Sequence, residues 1–223
     1  MNVSDAIKNR TSIRAFLDTP VSEETIRQLL EIARWSPSGG NLQPWRVHVV
    51  MGAARDRLVE TVKKAIEENP FANESEIAVY PEKLGEPWRT RRFDVGEALY
   101  ALLAIPREDK PARIRQLMKN YEFFGAPVGV FFSIDRQFDK GQWAHLGMFM
   151  QSIALTATEM GLSTCMQEAW SARAKTVSAF LGLGEHEQLY CGMALGYADE
   201  AAKINELRST RAEVDEFADI RAE

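Results

Sequence analysis

The sequence predicts an α+β fold, in which a buried sheet is covered by helices. Two nearly continuous apolar runs, at residues 128–134 and 189–197, are typical of strands that are buried on both faces. Segments with helical periodicity separate the predicted strands widely along the chain, which favours α+β layering over strict βαβ alternation. Hydrophobic residues make up 45% of the 223 residues, so the chain can bury a substantial core.

The N-terminal part of the chain begins with two predicted helices. Residues 4–8 form a short amphipathic helix with Ser4 as its candidate N-cap. After an extended segment at 10–16, Ser22 caps a second helix, which ends before the turn-forming cluster at 36–41. The residues after this cluster first alternate as in a strand and then take a helical period. They predict a strand at 45–50 and a helix at 53–68.

The middle of the chain is first irregular and then helical. Residues 69–88 are polar, contain three prolines and show no clear period. Two helices follow, at 93–105 and 112–123, and prolines interrupt the sequence between them. Residues 69–124 are therefore predicted to form an insertion-like region, partly irregular and partly helical, between two strands of a single domain that spans residues 1–223.

The C-terminal half combines a long apolar helix with a charged tail. Helices at 142–160 and 174–181 are each followed by a glycine, which is favoured just beyond a helix C-terminus. A strand at 163–167 lies between them. Residues 205–220 are charged and lack the apolar density to fold on their own.

Composition and charge exclude several classes of protein. The chain carries 27 lysines and arginines against 32 acidic residues, a net charge of -5, which argues against a nucleic-acid or membrane-surface binder. No segment approaches the roughly 20 continuous apolar residues of a membrane span. The two cysteines, Cys165 and Cys191, form neither a metal motif nor a disulfide framework. We therefore expect a cytoplasmic protein with no metal site, no nucleic-acid partner and no membrane partner.

Two motifs near the N-terminus could bind a ligand. In an extended segment, Arg10, Ser12 and Arg14 share one face, where two guanidinium groups and a hydroxyl make a receptor for an anion such as phosphate. A solvated basic linker explains the same residues. The second motif is the uncharged loop at 36–45, whose glycines let a flat ligand approach the backbone and whose Asn41 offers an amide. An ordinary helix-to-strand loop is the alternative.

Two further motifs lie towards the C-terminus. Residues 161–170 surround a short strand whose end could turn backbone amides towards a ligand, and residues 205–211 place a hydroxyl pair between two arginines. Taken singly, each segment is explained better without a ligand. Residues 161–170 would be a strand end with Glu168 in solvent, and residues 205–211 would be a solvated tail. His48 and His145 are expected to be structural. Because no nucleophile or metal ligand stands out, an enzyme built on this chain would need a cofactor to supply the chemistry.

Together, the four motifs resemble those of the nitroreductase family of FMN-dependent oxidoreductases. Residues 10–16, RTSIRAF, resemble the family signature R-x-S-x-R/K-x-F. Residues 36–45, SPSGGNLQPW, resemble its loop S-P-S-x-x-N-x-Q-P-W. Residues 161–170 resemble the later loop at the flavin edge, and the tail arginines resemble a C-terminal phosphate contact. The resemblance covers nearly the whole chain.

The resemblance implies a set of cofactor-binding residues and no catalytic side chain, because the chemistry takes place at flavin N5. Arg10 and Ser12 would bind the phosphate or ribityl chain of FMN, and Arg14 would approach the N1/O2 edge of the ring. Backbone amides near Glu168 and Ala169 would face N5 and O4. The full implied set is Arg10, Ser12, Arg14, Pro37, Ser38, Gly39, Asn41, Asn120, Glu168, Ala169, Arg208 and Arg211.

The resemblance also implies an assembly and a reaction. The expected fold has three layers, with a mixed, mainly antiparallel sheet flanked by helices, in an intertwined homodimer that binds FMN at its interface. Pro37, Ser38 and Gly39 would cover the ring from the neighbouring subunit, and a tail at 203–223 would embrace the partner. In a ping-pong reaction, NADPH or NADH would deliver hydride to flavin N5, and a small nitroaromatic or quinone-like acceptor would then be reduced.

Other functions fit the same sequence. The wider superfamily includes reductive dehalogenases and other flavin chemistry, which differ in the residues around the substrate. The candidates for lining the substrate pocket of this chain are Trp88, the arginines after it, and Phe123 or Phe124. A non-catalytic FMN-binding protein would hold flavin without turnover, and a cofactor-free interaction protein would be colourless.

Overall fold

One four-stranded sheet lies at the centre of the molecule. In the computed structural model, which describes residues 1–222, the strands pair in the order β1-β2-β4-β3, and every pair is antiparallel. An isolated parallel bridge between Ser12 and Thr164 extends the sheet beyond its last strand. The strands are β1 (Trp45–Met51), β2 (Val128–Asp135), β3 (Ser163–Gln167) and β4 (Glu187–Gly196).

Helices cover both faces of this sheet, which confirms the predicted α+β class and its three layers. Short 3₁₀ segments at Lys119–Gly125 and Glu168–Arg173 lead into β2 and out of β3. The helices are α1 (Val3–Asn9), α2 (Glu23–Ala33), α3 (Gly52–Glu68), α4 (Trp88–Leu102), α5 (Lys110–Met118), α6 (Lys140–Glu159) and α7 (Ala174–Leu181).

Strand β2 divides the core into two layers because its side chains alternate between the faces of the sheet. Val130 and Phe132 point towards α2 and α6, where Leu29 and Leu146 are also buried. Phe131 points to the opposite face, towards α3, α7 and the two 3₁₀ segments. Residues 128–134 are all buried, as the apolar run predicted.

The ends of the helices follow local capping chemistry. Ser22 Oγ accepts the Thr25 backbone N–H at 3.0 Å, so the predicted cap of α2 is confirmed. The prediction of Ser4 as the cap of α1 is wrong, because α1 begins at Val3 and Asn2 Oδ1 accepts the Asp5 N–H at 2.9 Å. Helix α7 ends at Gly182, whose φ of 68° is the left-handed conformation that glycine adopts readily.

The predicted boundaries of the two middle helices differ most from the structure. Helix α4 begins at Trp88 instead of residue 93, and α5 ends at Met118 instead of residue 123. The chain leaves α5 through a 3₁₀ segment in which Phe123 and Phe124 have φ values of 53° and 54°. Both aromatic rings enter the core at this turn, so burial overrides the helical period that the sequence suggested.

Most tail residues beyond 206 are exposed. One 3₁₀ turn at Val214–Glu216 is followed by residues that are exposed as far as 222. The last residue of the predicted tail, Glu223, lies outside the described residues.

Candidate functional site

Four arginines surround one cavity between the N-terminal segment and the tail. The cavity has a volume of about 390 Å³. Residues from α1, from the extended segment that follows it and from the tail form its wall, so the two sequence motifs that are farthest apart in the chain meet here. Among the lining residues are Arg10, Ser12, Arg14, Arg208 and Arg211.

The positive charge of this cavity is not neutralised by carboxylates. Within residues 1–222, none of the four arginines takes part in an ion pair, and three of them donate to backbone carbonyl oxygens. Burial lowers the pKa of Arg10, and the neighbouring charge of Arg211 lowers it further. A cavity that brings guanidinium groups together without a counter-charge is suited to bind an anion.

A second, smaller cavity of about 190 Å³ adjoins the first through Arg14. Its wall includes Asn120 and Phe124 from the 3₁₀ segment after α5, and Cys165 and Met166 from β3. The Cys165 thiol is buried, and burial raises its pKa, so it is a packing group and not a nucleophile. This cavity combines the Arg14 cation and the amides of Gln116 and Asn120 with apolar side chains.

Gln167 positions Asn120 at the end of β3. Its Nε2 donates to Asn120 O at 2.8 Å and lies 3.3 Å from Asn120 Oδ1, while its Oε1 accepts the indole N–H of Trp170 at 3.2 Å. Gln167 is fully buried, so these bonds satisfy its amide. The sequence did not single out Gln167, and an amide at the last position of a short strand, directly before the motif at 168–170, is the signal that could have found it.

Glu168 and Ala169 begin the 3₁₀ segment that follows β3. The Ala169 carbonyl accepts the Tyr121 hydroxyl at 3.1 Å, and Glu168 Oε1 accepts the Tyr190 hydroxyl at 3.2 Å. The alternative that placed the Glu168 side chain in solvent is therefore wrong, since the carboxylate is tied to β4. These contacts hold the strand end beside Asn120, although neither residue lines the two cavities.

The predicted loop at 36–45 lies on α6, away from both cavities. Pro37, Ser38, Gly39 and Asn41 are not part of either cavity wall in the described chain. Ser38 Oγ accepts the Gln43 N–H at 2.9 Å. In a single chain the loop is thus separated from the arginines, and the expectation that it covers the site of a neighbouring subunit stays a prediction.

The region predicted to line a substrate pocket is only partly available for that role. Trp88 is 60% exposed at the start of α4, whereas Phe123 is fully buried beneath the sheet, so Phe123 is wrong as a lining residue. Phe124 lines the smaller cavity. The arginines after Trp88 have partners of their own: Arg91 pairs with Glu216 at 2.9 Å, and the Arg92 guanidinium lies 4.1 Å from the centre of the Tyr80 ring.

The two cavities together fit a ligand with an anionic head and a planar end that forms hydrogen bonds. FMN has this shape: its phosphate suits the uncompensated arginines, and its ring edge suits Arg14 and Asn120. Among residues 1–222 there is no cluster of three or more His, Cys, Asp or Glu that could hold a metal ion. No helix of the described chain is long and apolar enough to cross a membrane.

Comparison with known proteins identifies the relatives of this chain. Residues 7–197 match the model of the nitroreductase family. A curated 4-nitrobenzoate reductase of Pseudomonas putida is 39% identical over 205 residues, which cover 92% of this chain and 89% of that protein.

Two solved structures share the fold over almost their full length. The FMN- and NADPH-dependent nitroreductase NfnB of Sphigopyxis sp. strain HMH superimposes with a TM-score of 0.97 at 43% identity, covering 100% of both chains. The FMN-dependent nitroreductase NfnB of Mycobacterium smegmatis, solved in complex with NADPH, has a TM-score of 0.92 at 34% identity and covers 98% of this chain and 97% of that one.

Proposed function

The chain belongs to the nitroreductase family, and from this membership we propose that it is an FMN-dependent oxidoreductase that uses NADPH or NADH to reduce a small aromatic acceptor. The observation that carries the proposal is the cavity in which Arg10, Arg14, Arg208 and Arg211 meet without a carboxylate partner. Bound FMN would supply the redox chemistry, accepting hydride at N5 and passing two electrons to the acceptor in a ping-pong cycle.

The protein's own residues would bind and orient the cofactor. Arg10 and Arg211, with Ser12 and Arg208, would hold the phosphate through charge-assisted hydrogen bonds. Because Arg14 lines both cavities, it would place a cation at the pyrimidine edge of the ring, where negative charge develops on reduction.

The remaining residues would frame the ring. Asn120, fixed by Gln167, would offer its amide to the pyrimidine edge, and the backbone N–H groups of Glu168 and Ala169 would face N5 and O4. Residues 37–39 and Asn41 would cover the ring and exclude water from it. No side chain of this set is needed as a general acid or base.

A nitroaromatic compound is the proposed acceptor. The relative from Pseudomonas putida is named for 4-nitrobenzoate, and the two solved relatives are nitroreductases. NADPH is the first electron donor to test, because the Sphigopyxis relative is NADPH-dependent and the Mycobacterium smegmatis relative was solved with NADPH bound.

A homodimer is the proposed assembly. The single chain exposes 13697 Å², whereas a folded monomer of this mass is expected to expose about 10,300 Å². Helix α4 buries none of its residues, and apolar side chains such as Ile7, Trp35 and Phe217 are more than half exposed. A second copy would cover this surface and would bring the loop at 36–45 towards a flavin site.

A cytoplasmic location is also part of the proposal. Both cysteines are free thiols buried in the core, as is usual for proteins of a reducing compartment. Fractionation of the source cells would test it, and recovery of the protein with a secreted or membrane fraction would contradict it.

The visible absorption spectrum of the purified protein, before and after anaerobic addition of NADPH or NADH, tests the function. We expect flavin bands that either nucleotide bleaches and that 4-nitrobenzoate restores. Bands that only dithionite bleaches would favour a flavin-binding protein without turnover. A colourless protein that FMN cannot reconstitute would refute the proposal.

A further inference from the structure

Two side chains of α6 anchor the loop at 36–45. Ser36 is buried and donates its hydroxyl to Ser152 Oγ at 2.7 Å. Three residues further on, the backbone N–H of Gly39 donates to His145 Nε2 at 3.3 Å. This second contact immediately precedes the loop residues whose backbone conformation is strained.

The strain lies in the residues that follow Gly39. Asn41 and Gln43 have φ values of 54° and 49°, in the left-handed region that costs residues with a side chain free energy. Such a conformation persists only where surrounding contacts fix it. The bond from Gly39 to His145 joins the loop to α6 two residues before Asn41. The Trp45 ring, stacked on an aromatic residue of α6, holds the chain two residues after Gln43.

The hydrogen bonds around His145 determine its tautomer. Nδ1 lies 3.0 Å from Gln142 Oε1, and an amide oxygen can only accept, so Nδ1 carries the proton and Nε2 keeps a free lone pair. If the Gln142 amide were reversed, its NH₂ group would donate to Nδ1, and the ring proton would lie on Nε2. Two donors, Nε2–H and the Gly39 N–H, would then face each other. Only the arrangement in which His145 accepts from Gly39 satisfies both partners.

The absence of a side chain at position 39 allows this contact. A Cβ built there would lie 3.1 Å from His145 Cε1, closer than packed atoms normally approach. The backbone of Gly39 itself is not left-handed, so a side chain at this position would be opposed by the imidazole and not by the backbone conformation.

We propose that His145, held as its Nδ1–H tautomer by Gln142, is a positioning residue that fixes the loop at 36–45 in the shape that covers the flavin. The proposal rests on the proposed function, which assigns Pro37, Ser38 and Gly39 to that cover. It adds a residue that contacts neither cavity and that the sequence motifs do not include.

Two substitutions separate the hydrogen bond from the packing of the ring. His145→Phe keeps an aromatic ring at this position but removes the acceptor, and His145→Gln restores an acceptor without a ring. Hydrogen–deuterium exchange of the flavin-free protein, followed by mass spectrometry over residues 36–45, reports the state of the loop. Residues 128–135 of β2, which are protected in the core, report that each variant is folded.

In His145→Phe we expect exchange in the loop to rise about fivefold, the effect of losing one ordinary hydrogen bond, and FMN affinity to fall by a similar factor. His145→Gln should recover part of both. In the unsubstituted protein, the ¹⁵N shift of His145 Nε2 should be that of an unprotonated ring nitrogen.

Unchanged loop exchange in a folded His145→Phe protein, or a protonated Nε2, would overturn the proposal. Faster exchange with unchanged FMN affinity would also overturn it, because the loop would then be anchored by His145 without covering the cofactor. Failure of the unsubstituted protein to bind FMN would instead refute the proposed function and, with it, this role. That outcome is recognised before any variant is made.

Discussion

Single residues determine the charge of the candidate site. Arg10 is half-buried beside Arg211, and burial together with this like charge lowers its pKa, which means that its charged form lacks a compensating partner. A bound phosphate would supply that partner. The affinity for FMN should therefore depend on Arg10 more than on an arginine that already has a carboxylate.

Arg10→Ala is expected to raise the dissociation constant of FMN about 10- to 150-fold, since a hydrogen bond to a charged group contributes about 1.5–3 kcal/mol. Quenching of FMN fluorescence during titration of the flavin-free protein measures it. Arg27→Ala is the matched control, because Arg27 is exposed on α2 and pairs with Glu23 at 2.6 Å. Equal affinities of the two variants would contradict the role of Arg10.

A second residue cluster governs the response of stability to acid. Glu187 is largely buried; its Oε2 accepts the Ser133 hydroxyl at 2.8 Å and lies 3.4 Å from His48 Nε2. Burial alone would raise the pKa of Glu187, but the Ser133 hydrogen bond and the nearby His48 and Arg46 outweigh it and hold the pKa below its ordinary value. His48 thus has the structural role that its place in a strand predicted.

The pH dependence of unfolding tests this cluster. Because the folded pKa is below the unfolded value of about 4.3, ionised Glu187 stabilises the fold above that pH, and the contribution disappears as pH falls through the folded pKa. Between pH 6 and pH 3.5, the wild-type protein should lose more free energy of unfolding than Glu187→Gln, measured with urea. The exposed Glu200→Gln should follow the wild type; parallel curves for all three proteins would refute the assignment.

At the scale of elements, two glycines let aromatic rings lie directly on the sheet. Gly129 of β2 lies under the Phe123 ring, and Gly192 of β4 lies under the Trp170 indole. Phe123 and Trp170 also contact each other, with ring centres 4.6 Å apart. The 3₁₀ segments at both ends of the site are thereby packed onto the central strands, which fixes the position of Asn120 and Glu168.

Gly129→Ala should therefore destabilise the fold by about 1–3 kcal/mol, the usual cost of adding a group to a packed core. Gly147→Ala in α6 is the matched control, because a Cβ there meets nothing within 4 Å and alanine favours the helix. Urea unfolding of both variants measures the difference. If Gly129→Ala were as stable as the control, Phe123 would not be packed as described.

At the scale of the whole molecule, the single chain exposes apolar side chains for which its residues 1–222 offer no covering segment. The tail carries Val214, Phe217 and Ile220 in exposed positions, and its ion pair from Glu216 to Arg91 is a surface contact of little energetic weight. In the proposed homodimer, burial of these side chains against the partner would stabilise the tail.

Deletion of residues 213–223 tests this reasoning and leaves Arg208 and Arg211 in place. We expect the dissociation constant of the proposed homodimer, measured by sedimentation equilibrium, to rise about tenfold or more, the effect of losing about 1.4 kcal/mol of contact. Glu216→Ala, which removes the ion pair and the hydrogen bond that Glu216 Oε1 accepts from the Glu213 N–H, should leave it nearly unchanged. A deletion variant that associates like the full chain would show that the tail is not part of the interface.

The sequence by itself determined the class of fold, most element boundaries and the four motifs, because these depend on hydrophobic period, caps and turn residues that are local in the chain. Ser22, Gly182 and the buried run of β2 show this most clearly. Arg10 and Arg211, 201 positions apart, line one cavity, and the family resemblance had implied that both contact the phosphate. Tertiary structure alone decided where Phe123 packs and which partner Glu168 takes. It alone placed His145 against Gly39. These contacts depend on the free energy of packing distant segments together, for which the local pattern of residues carries no signal.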